Sequence, residues 1–194
     1  MVSRGHHVHY TLGCDAVQET KQPMPNELWI RHTWQGEPIP PHEQVRIGLA
    51  LAGDGLVVEV QAPLHADPPP AAPPGRLDRL WEHEVVELFL LGRAERYLEL
   101  ELGPHGHYLA LRLEGRRRVA EAGLAIAFET VRQGASWHGR AVVPARYLPP
   151  EVERGNAYAI HGQGAARRYL ACFPVPGPEP DFHRLEHFGS VRLG

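Results

Sequence analysis

LWEHEVVELFLL, residues 80–91, is the stretch on which the fold turns. The alternation of a pleated strand puts Val85, Glu87, Phe89 and Leu91 on one face and Glu84, Val86, Leu88 and Leu90 on the other. With apolar side chains on both faces, this segment reads as a central strand covered from both sides. Glu87 is its anomaly. An isolated buried carboxylate costs several kcal/mol, so Glu87 has to be paired, hydrogen-bonded or open to a groove.

Two strands follow closely. After the polar turn GRAER, the segment YLELEL (97–102) places Leu98, Leu100 and Leu102 on one face and Tyr97, Glu99 and Glu101 on the other. GPHG (103–106) turns the chain into a third strand over 108–113, and the three form an antiparallel meander. The third strand sends Leu109, Leu111 and Leu113 to the core and Tyr108, Ala110 and Arg112 to the opposite side. Tyr97, Glu99, Glu101, Tyr108 and Arg112 are therefore expected to share one polar concave face.

Upstream, strand-like text covers residues 28–34. Residues 45–51 and 56–62 flank AGDG, a strong hairpin signal. Residues 63–75, PLHADPPPAAPPG, hold too many prolines for a helix or central strand and read as a stiff surface loop, placed to form a wall of the site. Downstream, 123–131, 137–143, 157–161 and 168–173 are further strands before the Pro-rich tail VPGPEPDFHRLEHF; short helical turns are expected only around YLPPEV and residues 76–80. About ten short strands with frequent turns predict an all-β antiparallel sandwich with long Pro-rich loops. Residues 1–26 are an N-terminal arm or added edge strand, and residues 27–194 one β-sandwich domain.

Bulk properties restrict function. A net charge of -3 and a pI near 6.5 give no global basic field for nucleic acid. No run approaches the roughly 20 apolar residues that span a bilayer, and the N-terminus lacks the apolar core of a signal peptide, so a cytoplasmic location is expected. The two cysteines, Cys14 and Cys172, fit a reducing compartment, with one long-range bridge as the alternative.

A face carrying Glu99, Glu101 and Arg112 suits sugar recognition: aromatic rings stack on pyranose C–H faces while carboxylates and arginine take hydroxyls. The plainer reading is that alternating Glu and Arg on a sheet are solvated or paired across strands.

WEHEVVELFL, YLELELGPHGHYLAL, NAYAIHG, RRYLACFPVP and PDFHRLEHF together resemble an uncharacterised family of bacteria and vertebrates, across residues 28–193. That family is similar to the DOMON-like superfamily and, within it, to family 9 carbohydrate-binding modules. The resemblance implies that Trp81 stacks on a sugar ring and Glu87 accepts its hydroxyls. It also implies a second ring, for which Phe173 and Phe182 are the available residues.

DOMON relatives that bind haem use Met and His ligands, and here Met1 and Met24 both fall in the arm. His6, His7 and His9 also lie there and fit adventitious metal binding. None of the histidines shows a recognised zinc spacing, and surface or capping roles are expected for His83, His107, His161, His183 and His187. His105, in the turn beside the polar face, is the exception and joins the site. Neither a serine nucleophile elbow nor a phosphate-cradling glycine loop occurs.

The expected function is a binding domain for a carbohydrate or similar polar small molecule, with no cofactor or metal and no nucleic-acid or membrane partner. Trp81, Glu87, Glu99, Arg112, His105, Phe173 and Phe182 form the expected site. One alternative is an intracellular enzyme on a sugar-like metabolite, using paired carboxylates and a histidine. A haem- or metal-binding domain is the other.

Overall fold

Gly53 and Asp54 form a two-residue hairpin link. Gly53 takes φ +59°, as the first loop position of a two-residue hairpin requires, and glycine does so without steric cost. The strands it joins alternate apolar residues toward a common core. The computed structural model describes residues 26–193 and has fourteen strands. They are β1 (Asn26–Ile30), β2 (His32–Thr33), β3 (Val45–Ala52), β4 (Gly55–Pro63) and β5 (Gly75–Arg76). The meander follows as β6 (Val85–Leu91), β7 (Arg96–Leu102) and β8 (His107–Glu114). Then come β9 (Val119–Glu121), β10 (Ala127–Gln133), β11 (Ser136–Pro144), β12 (Arg154–His161), β13 (Arg168–Ala171) and β14 (Gly189–Ser190). The helical content is confined to single 3-10 turns, among them Leu80–Glu82 and Ala145–Tyr147.

One sheet has five strands in the order β1-β3-β4-β11-β10. The larger runs β2-β13-β12-β6-β7-β8-β5, with β14 added to β12 and β9 to β8. All pairings are antiparallel except the short β5–β8 contact. The fold is thus the expected all-β antiparallel sandwich. Residues 28–34, expected as one strand, are divided: β1 pairs with β3 in the first sheet, and β2 crosses to pair with β13 in the second.

Between the sheets, Ile47, Leu49, Val58 and Val60 pack against Val86, Leu88, Leu90, Leu98, Leu100 and Ala110. The larger sheet also has a second apolar face. Val85, Phe89, Tyr97, Leu109, Leu111, Tyr158 and Ile160 are buried there beneath Phe182, Leu185 and Phe188 of the tail. That cover explains why every residue of β6 is buried. Without the tail, the apolar side chains on this face would be lost to water at about 25 cal/mol per Å².

Residues 63–75 run along the edge of the sandwich. The Asp67 carboxylate accepts the Gly162 backbone N–H at 2.7 Å, and the carbonyl of Ala72 meets His107 Nε2 at 2.9 Å.

Candidate functional site

Register places the acids. In the β6–β7 pair Glu87 faces Glu101 and Phe89 faces Glu99; in the β12–β6 pair Tyr158 faces Glu87. Directly paired residues point to the same side, so Glu87, Glu99 and Glu101 converge on the tail-covered face of the larger sheet. They are 3%, 5% and 0% exposed. Neither carboxyl oxygen of Glu101, nor Oε2 of Glu99, has a hydrogen-bond partner among the described residues.

Such burial penalises the charged forms. Desolvation, reinforced by Glu99, holds Glu87 well above the usual carboxylate range. Glu101 is raised likewise by desolvation and by its two acidic neighbours. Desolvation lifts Glu99 less, to about 7, because Glu101 and the Arg117 guanidinium favour its ionised form. The cluster therefore combines protonated and readily ionised carboxyls in one apolar setting.

Glu87 and Glu99 line a cavity of about 370 Å³, a volume suited to a small organic ligand. Its other walls include Trp81, Leu111, Ile160, Tyr169 and Phe182. Trp81 sits on the Leu80–Glu82 turn, which follows Arg79 in the left-handed region at φ +62°. Leu80 is buried as the anchor, while Trp81 stays 41% exposed. Arg167 fixes this turn by donating to the carbonyls of Trp81 and Glu82, and it also donates to that of Gly162.

Phe182 is held from the tail side. Its ring stacks on Tyr158 with centroids 3.8 Å apart and planes at 2°, and its carbonyl accepts the Tyr158 hydroxyl at 3.2 Å. Next to it, His183 Nδ1 lies 2.8 Å from the Tyr97 hydroxyl, which also accepts the Arg117 backbone N–H at 3.1 Å. Tyr97 and His183 thus share a hydrogen bond, and His183 Nε2 lies 4.0 Å from Glu99 Oε2. Burial, with Arg117 and Arg116 nearby, pushes the His183 imidazole down to about 4 and keeps it neutral.

Four of the expected residues thus meet at one cavity: Trp81, Glu87, Glu99 and Phe182. Three do not. Arg112 is directly opposite Leu98 and so shares the inter-sheet face rather than that of the acids; it pairs with Glu121 at 2.8 Å. Tyr108 and Ala110 follow it, facing Leu102 and Leu100, and Leu109, Leu111 and Leu113 take the places beside Glu101, Glu99 and Tyr97. His105 contacts Arg132 at 3.1 Å and lines a separate recess with Pro68 and Pro70. Hence the proline-rich loop does not wall the main cavity. Phe173 packs against Gly189 and the inter-sheet core, its backbone fastened to Asn156.

His183 and Tyr169 join the cavity although the sequence pointed to neither. Tyr169 carries an alternation signal in RYLA, but its face depends on pairing with β12. His183 was expected in a surface or capping role; the tail folding back over the sheet draws it inward instead. No group of three or more His, Cys, Asp or Glu among the described residues is arranged to hold a metal ion. Met1, Met24, the arm histidines and Cys14 lie outside the described residues.

These features define an antiparallel β-sandwich with a ligand-sized, acid-floored cavity on the outer face of its larger sheet. A crystal structure described as a putative carbohydrate-binding protein from Bacteroides uniformis has the same fold, with a TM-score of 0.66 over 84% of each chain at 19% identity. The chain belongs to the UPF0462 (C4orf33) family. It is 44% identical to the human UPF0462 protein C4orf33 over 84% of this chain and 86% of that one. The zebrafish (Danio rerio) homologue is 43% identical over 86% and 89%, and the rat homologue 47% over 82% and 84%. No protein-family model matches the chain. Among the described residues no helix is long and apolar enough to cross a membrane.

Proposed function

We propose that the protein is a binding domain for a sugar-like polar small molecule. Trp81 stacks on one face of the ligand, Phe182 contributes a second ring, and the carboxyls of Glu87 and Glu99 take its hydroxyls. The observation carrying this reading is that a half-exposed tryptophan and two buried acids, one of them with an unpartnered oxygen, line one cavity. A protonated carboxyl both donates and accepts, which suits the alternating hydroxyls of a polyol. The fold shared with the Bacteroides uniformis protein, and the resemblance to DOMON-like and family 9 carbohydrate-binding modules, support the same reading. In this reading the domain works in the cytoplasm, in keeping with the sparse cysteines.

Calorimetric titration of the full chain with a panel of monosaccharides and disaccharides tests the proposal. Saturable binding that Trp81→Ala weakens about tenfold or more is expected. Silence across the panel, or binding indifferent to Trp81, overturns it.

A second reading is favoured by the contrast between Glu87 and Glu99. An acid held protonated beside one near neutrality supplies a proton donor and an acceptor within one cavity, as a sugar-transforming enzyme requires. Product formation from a bound sugar, followed by NMR and abolished in Glu99→Gln, would establish it over simple binding.

A further inference from the structure

Among the described residues no arginine forms an ion pair with Glu87, Glu99 or Glu101, although Arg167 and Arg117 lie close enough to favour the ionised forms of Glu87 and Glu99. Glu87, Glu99 and Glu101 meet on adjacent strands, yet the two arginines nearest them are bound elsewhere. Arg167 donates to the backbone carbonyls of Trp81, Glu82 and Gly162. Arg117 also lines the cavity, but its guanidinium is paired with Asp181, as is that of Arg116, and its side chain is 60% exposed. His183, 4.0 Å from Glu99, is held neutral. What remains is a set of buried carboxyl oxygens, Oε2 of Glu99 and both of Glu101, without hydrogen-bond partners among the described residues.

Buried polar atoms in a folded protein almost always find partners, and Oε2 of Glu99, a residue of the cavity wall, is an acceptor that a ligand donor would complete. The cavity that gives access to Glu87 and Glu99 is also lined by Trp81, Tyr169 and Phe182. Aromatic faces with carboxyls behind them are a favourable environment for an organic cation, because the ring quadrupole and the acids attract the same charge. Tyr169 already faces one cation in this way, the Arg167 guanidinium at 5.7 Å. The donors an ammonium carries, three N–H groups and no acceptor, match what the acids lack. The described acids are not arranged to hold a bare metal ion, so the cation that fits is organic.

We propose that this cavity selects a protonated amine, an amino-sugar-like ligand whose ammonium is received by Glu87 and Glu99, with Glu101 buried behind them, while its ring lies on Trp81. The inference rests on the binding function proposed above and sharpens it to a charged ligand class. Because the acids are largely protonated when the cavity is unoccupied, arrival of a cation draws protons off them, and binding is coupled to proton release.

Glucosamine, N-acetylglucosamine and glucose form the test set, since acetylation removes the charge and glucose replaces the amine with a hydroxyl. The full chain is titrated with each by calorimetry in two buffers of different ionisation enthalpy. Glucosamine is expected to bind about tenfold or more tightly than either neutral sugar, with net proton release. In Glu99→Gln that preference should shrink to roughly twofold, which separates the cavity's acids from stacking alone. Equal binding of all three overturns the cation proposal and leaves the sugar-binding reading standing. Binding by none overturns both. The comparison of the three sugars on the unaltered protein stands whether or not the variant folds.

Discussion

Glu87 stands directly opposite Glu101 across the β6–β7 pair, two acids facing each other on one sheet face with no ion pair to either among the described residues. Like charges in that position are destabilising, and burial raises the cost further. Protonation is the resolution, aided by Glu99 on the same strand as Glu101. The binding chemistry of the cavity and the pH response of the fold then share one cause.

That cause predicts how stability depends on pH. Glu87 and Glu101 are raised well above the ordinary 4.5, and Glu99 and Glu84 to about 7. Above 4.5 the unfolded chain has lost these protons while the folded one keeps them, so stability falls with rising pH. His161 and His183, lowered from 6.5 to about 4, act in the opposite sense, but only between those two values. Above 6.5 the acids alone remain, and the thermal midpoint should decline from pH 6.5 to roughly pH 8. Glu101→Gln removes one of the groups responsible and should flatten the decline, raising the midpoint near pH 8 by about 2–4 °C. Scanning calorimetry across pH measures both. A midpoint that climbs over this interval would mean that the acids are ionised in the folded protein.

The Trp81 turn separates binding from stability. Trp81 is half in solvent, so Trp81→Ala should lower stability by under about 1 kcal/mol while removing the stacking platform. Arg167→Ala should have a related effect through position, since the guanidinium ties the carbonyls of Trp81 and Glu82. Sugar affinity is expected to fall roughly threefold to tenfold, together with a fall of several degrees (about 5 °C) in the thermal midpoint as the bonds to three carbonyls are lost. Titration and thermal unfolding on the same preparations distinguish the two losses.

Arg112→Ala and His105→Ala should leave ligand affinity unchanged within about twofold, because one residue faces Glu121 and the other Arg132, away from the cavity. The same titration measures this. A larger loss for either would place the binding site somewhere other than the cavity beneath Trp81.

These two residues also show where sequence reading reached its limit. Alternation within a strand is local, so the faces of 85–91 and 97–102 were legible, including the anomaly at Glu87 and the shared side of Glu99 and Glu101. Which face of the next strand joins them depends on register, and a one-residue slip exchanges every side chain between faces. The link from Leu102 to Tyr108 closes with Gly103 N–H bonded to the His107 carbonyl and Gly106 at φ +83°. That geometry sets Leu109 against Glu101 and turns Arg112 away. His183 was hidden for a different reason. Its neighbours Phe89 and Tyr97 are more than eighty residues distant in sequence, and no periodicity in a proline-rich tail announces a contact of that range.

Asn156 joins the tail to the cavity, and its removal should be felt in both. The side chain is fully buried and fully bonded: Nδ2 donates to the Tyr158 hydroxyl and the Phe173 carbonyl, and Oδ1 accepts the backbone N–H groups of Ala157 and Phe173. Asn156→Ala strands the Phe173 backbone and frees the hydroxyl that Tyr158 presents to the Phe182 carbonyl. The expected cost is about 3 kcal/mol, a fall in the thermal midpoint of roughly 6–12 °C. Phe182 depends on Tyr158 for both its stacking partner and its carbonyl bond, so ligand affinity should drop as well, well below the new melting temperature. Titration of the folded variant at low temperature isolates that second effect. Undiminished affinity there would show that the Phe182 ring contributes nothing to the bound state.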